Sequence, residues 1–270
     1  MATTRTLAGT FAGRFSFVRV GDGAAPLVVL PGLSVTNEAP SGLAVAAYAR
    51  GFRRLARGRT VYIVHRPHGL ADGTTTADLA AEYAAVLGPE IGTFDLMGLS
   101  TGGMIAQRLA LAHPDAVRRL ALVVAGARLA PSGQQICRRW LELARARRWR
   151  VLHGDLAAAV VDGPVPQWLA RTILRLTGRA PTDAQAADFL TTTSAVLAHD
   201  TTEDLAGLRM PALVVGGALD PFFPAAALEA TAAAIPDAEL RVFPCNGHGV
   251  PKQRSAAVQD AVVAFLGSPR

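Results

Sequence analysis

With 270 residues, half of them hydrophobic and 18% charged, the chain is too apolar for a disordered protein and too interrupted by charge, glycine and proline for a membrane protein. It has no run of about 18 apolar residues that could span a membrane, and segment 1–14 lacks the apolar core of a signal peptide. We therefore expect a cytoplasmic protein with no stable membrane insertion. The net charge of +6 could favour binding of a polyanion. However, Lys252 is the only lysine among many arginines, and no nucleic-acid-binding motif is present. We therefore expect no nucleic-acid partner.

Short apolar, β-branched runs alternate along the chain with longer alanine-rich stretches, a pattern typical of parallel strands joined by crossover helices. Segment 7–20 comes first and predicts an antiparallel hairpin at one edge of the sheet. The later runs are apolar throughout, as strands buried on both faces are, and they predict strands at 27–30, 61–64, 94–97, 120–124, 212–215 and 240–243. Helices are predicted at 43–55, 76–87, 103–112, 225–234 and 255–266. The predicted fold class is therefore α/β, with a mostly parallel central sheet flanked by helices.

The regular alternation stops between residues 128 and 205, where tryptophans, arginines and several helical stretches replace it. We interpret residues 128–205 as an inserted helical cap, and residues 1–127 and 206–270 as one α/β core. A chain of this length can bury a large core as a single unit. No internal repeat or low-complexity linker indicates an independent second domain, and no pattern indicates an oligomeric state.

A candidate nucleophile lies between the predicted strand at 94–97 and the predicted helix at 103–112. Gly98-Leu99-Ser100-Thr101-Gly102 matches the G-x-S-x-G motif, in which a sharp strand-to-helix turn exposes the serine. Such a turn strains the backbone at the serine, and the two glycines allow neighbouring chain to approach. The turn also aims the start of the helix at the reacting group, so that the Thr101 N–H can stabilise an oxyanion. The alternative is a tight turn with no catalytic role.

Ser100 needs a base within hydrogen-bond reach, and histidine is the most common one. His248 lies in the glycine-flanked segment 244–250, between the last predicted strand and the last predicted helix. Loops at the carboxyl ends of parallel strands meet at one edge of the sheet, which makes His248 the candidate general base; the alternative is a histidine that caps loop backbone. The remaining histidines are His65 and His68, which could line a pocket or be structural, and His113, His153 and His199, for which structural roles are favoured.

A carboxylate is needed to hold the histidine in one tautomer and to stabilise its positive charge. Asp220 follows the predicted strand at 212–215 and therefore lies at the same edge of the sheet. The order Ser, Asp, His along the chain is the order associated with this motif, and no carboxylate closely follows the strand at 120–124, the main alternative position. Asp220 is thus the candidate acid; alternatively, it is the N-cap of the next helix.

Together these residues resemble the serine-nucleophile branch of the α/β-hydrolase superfamily, over nearly the whole chain outside the cap. Segment 30–34, Leu-Pro-Gly-Leu-Ser, looks like the family's oxyanion loop, in which the residue after the glycine supplies a second backbone N–H. The resemblance therefore implies that Leu33 and Thr101 form the oxyanion hole. The family usually has histidine before that glycine, where this chain has Pro31. A second departure lies at 65–70, where many relatives carry an Asp and an Arg-Gly-x-Gly-x-Ser pattern.

The resemblance implies a serine hydrolase, in which Ser100 attacks a carboxylic ester or thioester, His248 takes its proton and water releases the acyl group. Acyl transfer to another acceptor, or cleavage of a carbon–carbon bond in a β-diketone, can use the same residues. A non-catalytic receptor for small ligands is the alternative from a different class. No metal or organic cofactor is required and no phosphate-binding motif is present, and Cys137 and Cys245 are interpreted as ordinary thiols.

Specificity is expected to come from aromatic residues in the cap and next to the candidate acid, which predict an apolar or aromatic small-molecule acyl substrate. The candidates are Trp140, Trp168, Phe189, Phe222 and Phe223. Alternatively, these residues pack the cap onto the core. Segment 137–151 predicts one basic amphipathic helix that could attract an anionic acyl carrier or a membrane surface; a solvated face is the favoured alternative.

Overall fold

The computed structural model of the protein describes residues 5–267, so the expectation for segment 1–14 falls partly outside the described residues. Its central element is a sheet of eight strands in the order β1-β2-β4-β3-β5-β6-β7-β8. The strands are β1 Thr6–Phe11, β2 Phe15–Val20, β3 Ala25–Leu30, β4 Arg59–Val64, β5 Phe94–Leu99, β6 Val117–Val123, β7 Ala212–Gly217 and β8 Ala238–Phe243. β2 pairs antiparallel with β1 and β4, and the other neighbours are parallel. The predicted edge hairpin and mostly parallel sheet are confirmed.

Helices connect the strands of the sheet. They are α1 Ala44–Arg50, α2 Thr76–Ile91, α3 Thr101–Ala112, α4 Pro131–Arg145, α5 Trp149–Ala159, α6 Pro164–Thr177, α7 Asp183–Ala198, α8 Ala225–Ala234, α9 Val250–Gln253 and α10 Ser255–Gly267. The predicted helices at 76–87, 103–112, 225–234 and 255–266 are confirmed. The helix predicted at 43–55 is shorter, because α1 ends before Gly51, a residue with low helix propensity, and turns follow. Within residues 5–267, no helix is both long enough and apolar enough to cross a membrane.

Alternate residues of the inner strands pack into different hydrophobic cores. In β3, Val28 and Leu30 lie in one core with residues of α2, α3 and α8, whereas Leu27 and Val29 lie in a second core with residues of α1 and α10. All these β3 side chains are fully buried. Because successive side chains of a strand point to opposite faces of the sheet, burial on both faces explains why this stretch of sequence is apolar throughout.

The segment between β6 and β7 contains four helices, α4 to α7, and residues 128–205 are called the cap segment below. Its two ends meet, because Arg128 and Asp200 form an antiparallel bridge. The Thr201 N–H also donates to Ala127 O at 3.0 Å. The chain therefore leaves the core and returns to it at one place, which supports the proposed division into a core and an inserted cap.

The single basic helix predicted at 137–151 is wrong. α4 ends at Arg145 and α5 begins at Trp149, because Arg147 takes a left-handed conformation with φ of 53°. The Arg148 N–H donates to Leu143 O at 2.8 Å, the hydrogen bond of a Schellman motif, which terminates helices. The left-handed residue of this motif is usually glycine or asparagine, so an arginine at this position carried no sequence signal for the break.

Candidate active site

Ser100, Asp220 and His248 lie at the carboxyl ends of three strands of the sheet. Ser100 follows β5 directly, Asp220 follows β7 and His248 follows β8. β5, β6, β7 and β8 are consecutive parallel neighbours, so the three strand ends lie at the same edge. The predicted convergence of the three loops is therefore present in the structure.

The three side chains form one hydrogen-bonded line. Ser100 Oγ lies 3.0 Å from His248 Nε2, and His248 Nδ1 lies 2.7 Å from Asp220 Oδ2. Asp220 is 1% exposed and His248 is 8% exposed, so water has little access to either group. When the Nδ1–H donates to the carboxylate, Nε2 is free to accept the serine proton. The arrangement can therefore deprotonate a serine hydroxyl as it attacks an acyl carbon.

The turn at Ser100 holds the serine in an unusual backbone conformation. Its φ is 51° and its ψ is −118°, a region that residues with a side chain rarely occupy. The Ser100 N–H donates to Val123 O at 2.9 Å, which ties the turn to β6. A Cβ atom at Gly102 would lie 2.0 Å from Leu30 O, and one at Gly98 would lie 2.4 Å from the backbone of α3. Both glycines of the motif are therefore needed for close backbone packing.

Asp220 uses its two carboxylate oxygens for different contacts. Oδ2 faces His248, whereas Oδ1 accepts hydrogen bonds from the backbone N–H groups of Phe222 and Phe223 at 2.8 and 3.2 Å. These N–H donors stabilise the charged carboxylate and orient it toward the imidazole. The N-cap position of α8 is occupied by Pro224, so the interpretation of Asp220 as the N-cap of that helix is wrong.

The predicted oxyanion loop lies beside the serine. A Cβ atom at Gly32 would lie 3.4 Å from the Ser100 Cβ atom, which places the peptide between Gly32 and Leu33 next to the nucleophile. Thr101 is the first residue of α3, so its N–H has no acceptor within the helix. Both predicted donors therefore lie near Ser100, and their role as an oxyanion hole stays a prediction.

Arg66 supports this loop and was not among the predicted site residues. Its side chain is 1% exposed, and Nη1 donates to the carbonyl oxygens of Gly32 and Pro31 at 3.1 and 3.4 Å. Burial lowers the pKa of the guanidinium. The Gly32 carbonyl and the Leu33 N–H belong to one peptide unit, so the arginine orients the N–H by holding the carbonyl. Arginine is rarely buried, so the sequence carried no signal for this contact.

Two of the predicted substrate-binding residues lie close to the imidazole, and a third packs against one of these two. The rings of Phe222 and Phe223 have centroids 4.6 and 6.3 Å from that of His248. The ring of Trp140, which comes from α4 in the cap segment, lies 5.5 Å from that of Phe222. A series of tilted aromatic ring contacts thus runs from the candidate base through Phe222 to Trp140 in the cap segment.

The other two predicted substrate-binding residues lie elsewhere in the cap segment. Phe189 is 2% exposed and packs edge-on against Trp149, with ring centroids 6.3 Å apart. This contact matches the alternative interpretation, in which the aromatic residues pack the protein interior. Trp168 is 64% exposed on α6. The structure therefore connects Trp140 to the site through Phe222, whereas the ring contact of Phe189 is with Trp149 and Trp168 lies exposed.

Two buried histidines lie outside the hydrogen-bonded line. Burial, with a smaller contribution from neighbouring arginines, lowers the pKa of both His65 and His199 to about 4. His65 Nε2 lies 3.5 Å from the Tyr48 hydroxyl, and His199 Nδ1 lies 2.8 Å from Thr76 Oγ1. Both imidazoles are therefore neutral at pH 7 and make contacts within the protein interior.

Both cysteines are free thiols. Cys137 is buried in α4, and burial raises the pKa of its thiol to about 12, whereas Cys245 is exposed. In the part of the chain that the structure describes, no three His, Cys, Asp or Glu side chains are grouped so that they could hold a metal ion.

Known proteins resemble this chain in sequence and in fold. A family model described as "Alpha/beta hydrolase family" matches residues 27–261. The chain is 34% identical over 256 residues to polyketide synthase ThaQ of Burkholderia thailandensis, and this match covers 89% of the chain but only 12% of that much longer protein. It is 28% identical over 234 residues to the pimeloyl-[acyl-carrier protein] methyl ester esterase of Chromobacterium violaceum, a match that covers 77% of the chain and 84% of the esterase. The crystal structure of a hydrolase from Pseudomonas aeruginosa PA01 has a TM-score of 0.75 and 25% identity, with 99% of both chains covered.

Proposed function

The chain belongs to the alpha/beta hydrolase family, and we propose that it is a serine hydrolase that cleaves a carboxylic ester or thioester through an acyl-enzyme intermediate. The observation that carries the proposal is the hydrogen-bonded line from Ser100 Oγ through His248 to the buried Asp220 carboxylate. A serine hydroxyl is a weak nucleophile, and an adjacent base oriented by a carboxylate is the usual means of activating it.

In the first half of the proposed cycle, Ser100 Oγ attacks the acyl carbon while His248 Nε2 takes the hydroxyl proton. Asp220 accepts the Nδ1–H and stabilises the imidazolium. The carbonyl electron pair becomes an oxyanion, which accepts hydrogen bonds from the Leu33 N–H in the loop after β3 and from the Thr101 N–H at the positive end of α3. The intermediate then collapses, and the leaving alcohol or thiol takes the proton from Nε2 as the acyl group stays on Ser100.

In the second half, a water molecule attacks the acyl-enzyme. His248 takes a proton from the water and returns it to Ser100 Oγ when the carbon–oxygen bond to the serine breaks. The product is a carboxylic acid, and the hydroxyl, imidazole and carboxylate return to their starting states. Loss of one oxyanion donor would slow such a cycle by about 10²- to 10³-fold.

The proposed substrate is a small apolar or aromatic acyl compound. The packing of Phe222 and Phe223 against His248, and of Trp140 against Phe222, supports an apolar wall next to the reacting carbonyl. Because Trp140 comes from the cap segment, we assign specificity to that segment. The similarity to an esterase of pimeloyl-[acyl-carrier protein] methyl ester supports testing an ester of a carrier-bound acyl group as one form of the substrate.

Labelling with a fluorophosphonate, which reacts with activated serine hydroxyls, tests the proposal. We expect the wild-type protein to be labelled at Ser100, and we expect Ser100→Ala to lose labelling and on the order of 10⁶-fold in esterase rate. Ser194→Ala, which changes an exposed serine of α7, is the matched control and should be labelled like the wild type. The proposal would be contradicted if Ser100→Ala were labelled at the wild-type rate, or if the wild-type protein were not labelled at all.

A substrate panel then separates the proposed function from its rivals. It contains p-nitrophenyl esters, thioesters and a carrier-bound methyl ester. Hydrolysis of any of these by the labelled protein supports the proposal. A protein that is labelled but hydrolyses none of them would instead carry out acyl transfer or carbon–carbon cleavage, and one that binds small ligands without being labelled would be a receptor.

A further inference from the structure

The cap segment touches the loop that carries His248. This loop follows β8 and has a glycine on either side of the histidine, and the chain between α5 and α6 runs against both glycines. A Cβ atom at Gly249 would lie 2.4 Å from Val160 O, and one at Gly247 would lie 2.8 Å from Asp162 Oδ1. A backbone oxygen cannot readily move away from a new Cβ atom, so Gly249 is needed for this approach, whereas at Gly247 the nearby atom is the end of a side chain.

Asp162 directs both of its carboxylate oxygens at this loop. Oδ1 accepts a hydrogen bond from the Gly247 N–H at 3.1 Å, and Oδ2 accepts one from Asn246 Nδ2 at 3.0 Å. Hydrogen bonds to an ionised carboxylate are stronger than those between neutral groups. One side chain of the cap segment therefore restrains the two residues that precede the candidate base.

Asn246 extends this restraint to the loop of the candidate acid. Its backbone oxygen accepts a hydrogen bond from the Leu219 N–H at 2.9 Å, directly before Asp220. Gln253 lies beside both Asn246 and Asp162, with its side-chain amide placed to donate to Asp162 Oδ2 and to accept from the Asp162 N–H. Asn246 thus connects the loop that carries the imidazole to the loop that carries the carboxylate. Asp162 of the cap segment binds Asn246 and so restrains this connection.

We propose that Asp162 is a positioning residue that keeps His248 Nε2 aligned with Ser100 Oγ by holding Asn246 and Gly247. The inference rests on the proposed function, because it assigns Asp162 a part in the same acid–base line. It also makes the alignment of the base depend on the placement of the cap segment, to which we assign specificity. Misplacing a catalytic group by about 1 Å can cost on the order of 10²-fold in rate, which sets the scale of the expected effect.

Exchanging the two hydrogen-bonding groups tests this role with almost no change in shape. In Asp162→Asn, the new amide oxygen can still accept from the Gly247 N–H, but the new NH₂ group then faces Asn246 Nδ2, and two donors oppose each other. In Asn246→Asp, two carboxylates oppose each other. The double variant Asp162→Asn/Asn246→Asp restores a donor and an acceptor in reversed order, so only a specific pairwise contact predicts that the double variant recovers.

The rate constant for fluorophosphonate labelling of Ser100 is the main measurement, together with kcat and KM for an ester that the wild type hydrolyses. We expect Asp162→Ala and Asp162→Asn to lower the labelling rate and kcat by about 10- to 100-fold, with a much smaller change in KM. The double variant should recover to within about threefold of the wild type. A packing role alone predicts neither the split between kcat and KM nor the recovery.

Asp183→Asn is the matched control, because Asp183 is also a carboxylate of the cap segment but pairs with Arg147 at a site where it is 86% exposed. It should be labelled at the wild-type rate. If Asp162→Ala does not fold, as judged by near-ultraviolet circular dichroism, Asp162→Asn and the double variant decide the question. Wild-type labelling rates in the Asp162 variants, or a double variant no faster than the slower single variant, would overturn the inference. Absence of labelling in the wild type would instead overturn the proposed function.

Discussion

At Asp220, the two carboxylate oxygens perform separate tasks. Oδ2 lies 2.7 Å from His248 Nδ1, while Oδ1 holds the following turn through the N–H groups of Phe222 and Phe223. Substitution by asparagine separates the tasks, because the amide oxygen can still accept from the turn while the NH₂ group faces the imidazole. This single residue therefore allows a test of proton handling that leaves the local backbone contacts in place.

We expect Asp220→Asn to keep its fold and to lose on the order of 10³- to 10⁴-fold in kcat. The new NH₂ group donates to His248 Nδ1, so the imidazole proton moves to Nε2, where it blocks uptake of the proton from Ser100. Steady-state kinetics measures the loss, and thermal unfolding followed by circular dichroism shows whether the fold is kept. Asp115→Asn, an exposed carboxylate in the turn before β6, is the control. A kcat within tenfold of wild type would refute this role of Asp220.

At the scale of elements, the turn between β5 and α3 is built from close backbone contacts. A Cβ atom at Gly102 would lie 2.0 Å from Leu30 O in β3, and one at Gly103 would lie 2.4 Å from the Ala125 Cβ atom. The start of α3 is thereby pressed against the ends of the neighbouring strands. The glycines place the first N–H groups of the helix beside Ser100.

Gly102→Ala is expected to destabilise the protein by at least about 2 kcal/mol, because a backbone oxygen cannot move away from the new methyl group. This cost exceeds the gain of about 1 kcal/mol that alanine brings to a helix. Urea unfolding at pH 7 measures the difference. Gly207→Ala is the control: its Cβ atom would lie at an ordinary contact distance of 3.5 Å from Leu111 Cδ2, and the change should be below about 1 kcal/mol. Equal stabilities of the two variants would show that the contact at Gly102 does not limit packing.

At the scale of the whole molecule, His199 lies where the cap segment returns to the core. Its Nδ1 contacts Thr76 Oγ1 of α2 at 2.8 Å. Burial, with a smaller contribution from Arg108, lowers the pKa of this histidine to about 4, although Asp200 and Asp204 act in the opposite direction. Protonation of His199 therefore requires a positive charge inside the junction between the cap segment and the core.

The stability of the fold should consequently fall as the pH is lowered from about 6.5 to about 4. Over this range the unfolded chain binds a proton at His199 that the folded chain excludes, so the free energy of unfolding rises with pH. Urea unfolding at pH 7 and pH 4.5 should show a smaller loss for His199→Asn than for the wild type, by on the order of 1 to 3 kcal/mol. Asparagine can keep the hydrogen bond to Thr76.

The same substitution at exposed His113 is the control for this pH dependence and should leave the loss at the wild-type value. His65, the other buried histidine with a pKa of about 4, adds to the pH dependence of every variant alike. If His199→Asn and the wild type lost the same free energy between the two pH values, the lowered pKa of His199 would not contribute to stability.

The strands, the helices α2, α3, α8 and α10 and the three candidate catalytic residues could be predicted from local patterns. The run at 27–30 is apolar because both faces of β3 are buried, and the G-x-S-x-G motif needs its glycines because backbone atoms crowd Gly102. The break between α4 and α5 could not be predicted, because Arg147 adopts a left-handed conformation that its residue type does not favour. The catalytic roles of Ser100, His248 and Asp220 stay predictions until they are tested.

Local patterns in the sequence predicted the strands, four helices of the core and the three candidates for the acid–base line, because hydrophobic period and motif spacing act over a few residues. Which distant groups support that line depends on the packing of the folded chain. Arg66 meets Gly32 across 34 positions and Asp162 meets Asn246 across 84. Such contacts depend on how helices and loops pack around the sheet. An aspartate or arginine that makes one has the same local sequence pattern as one that faces solvent.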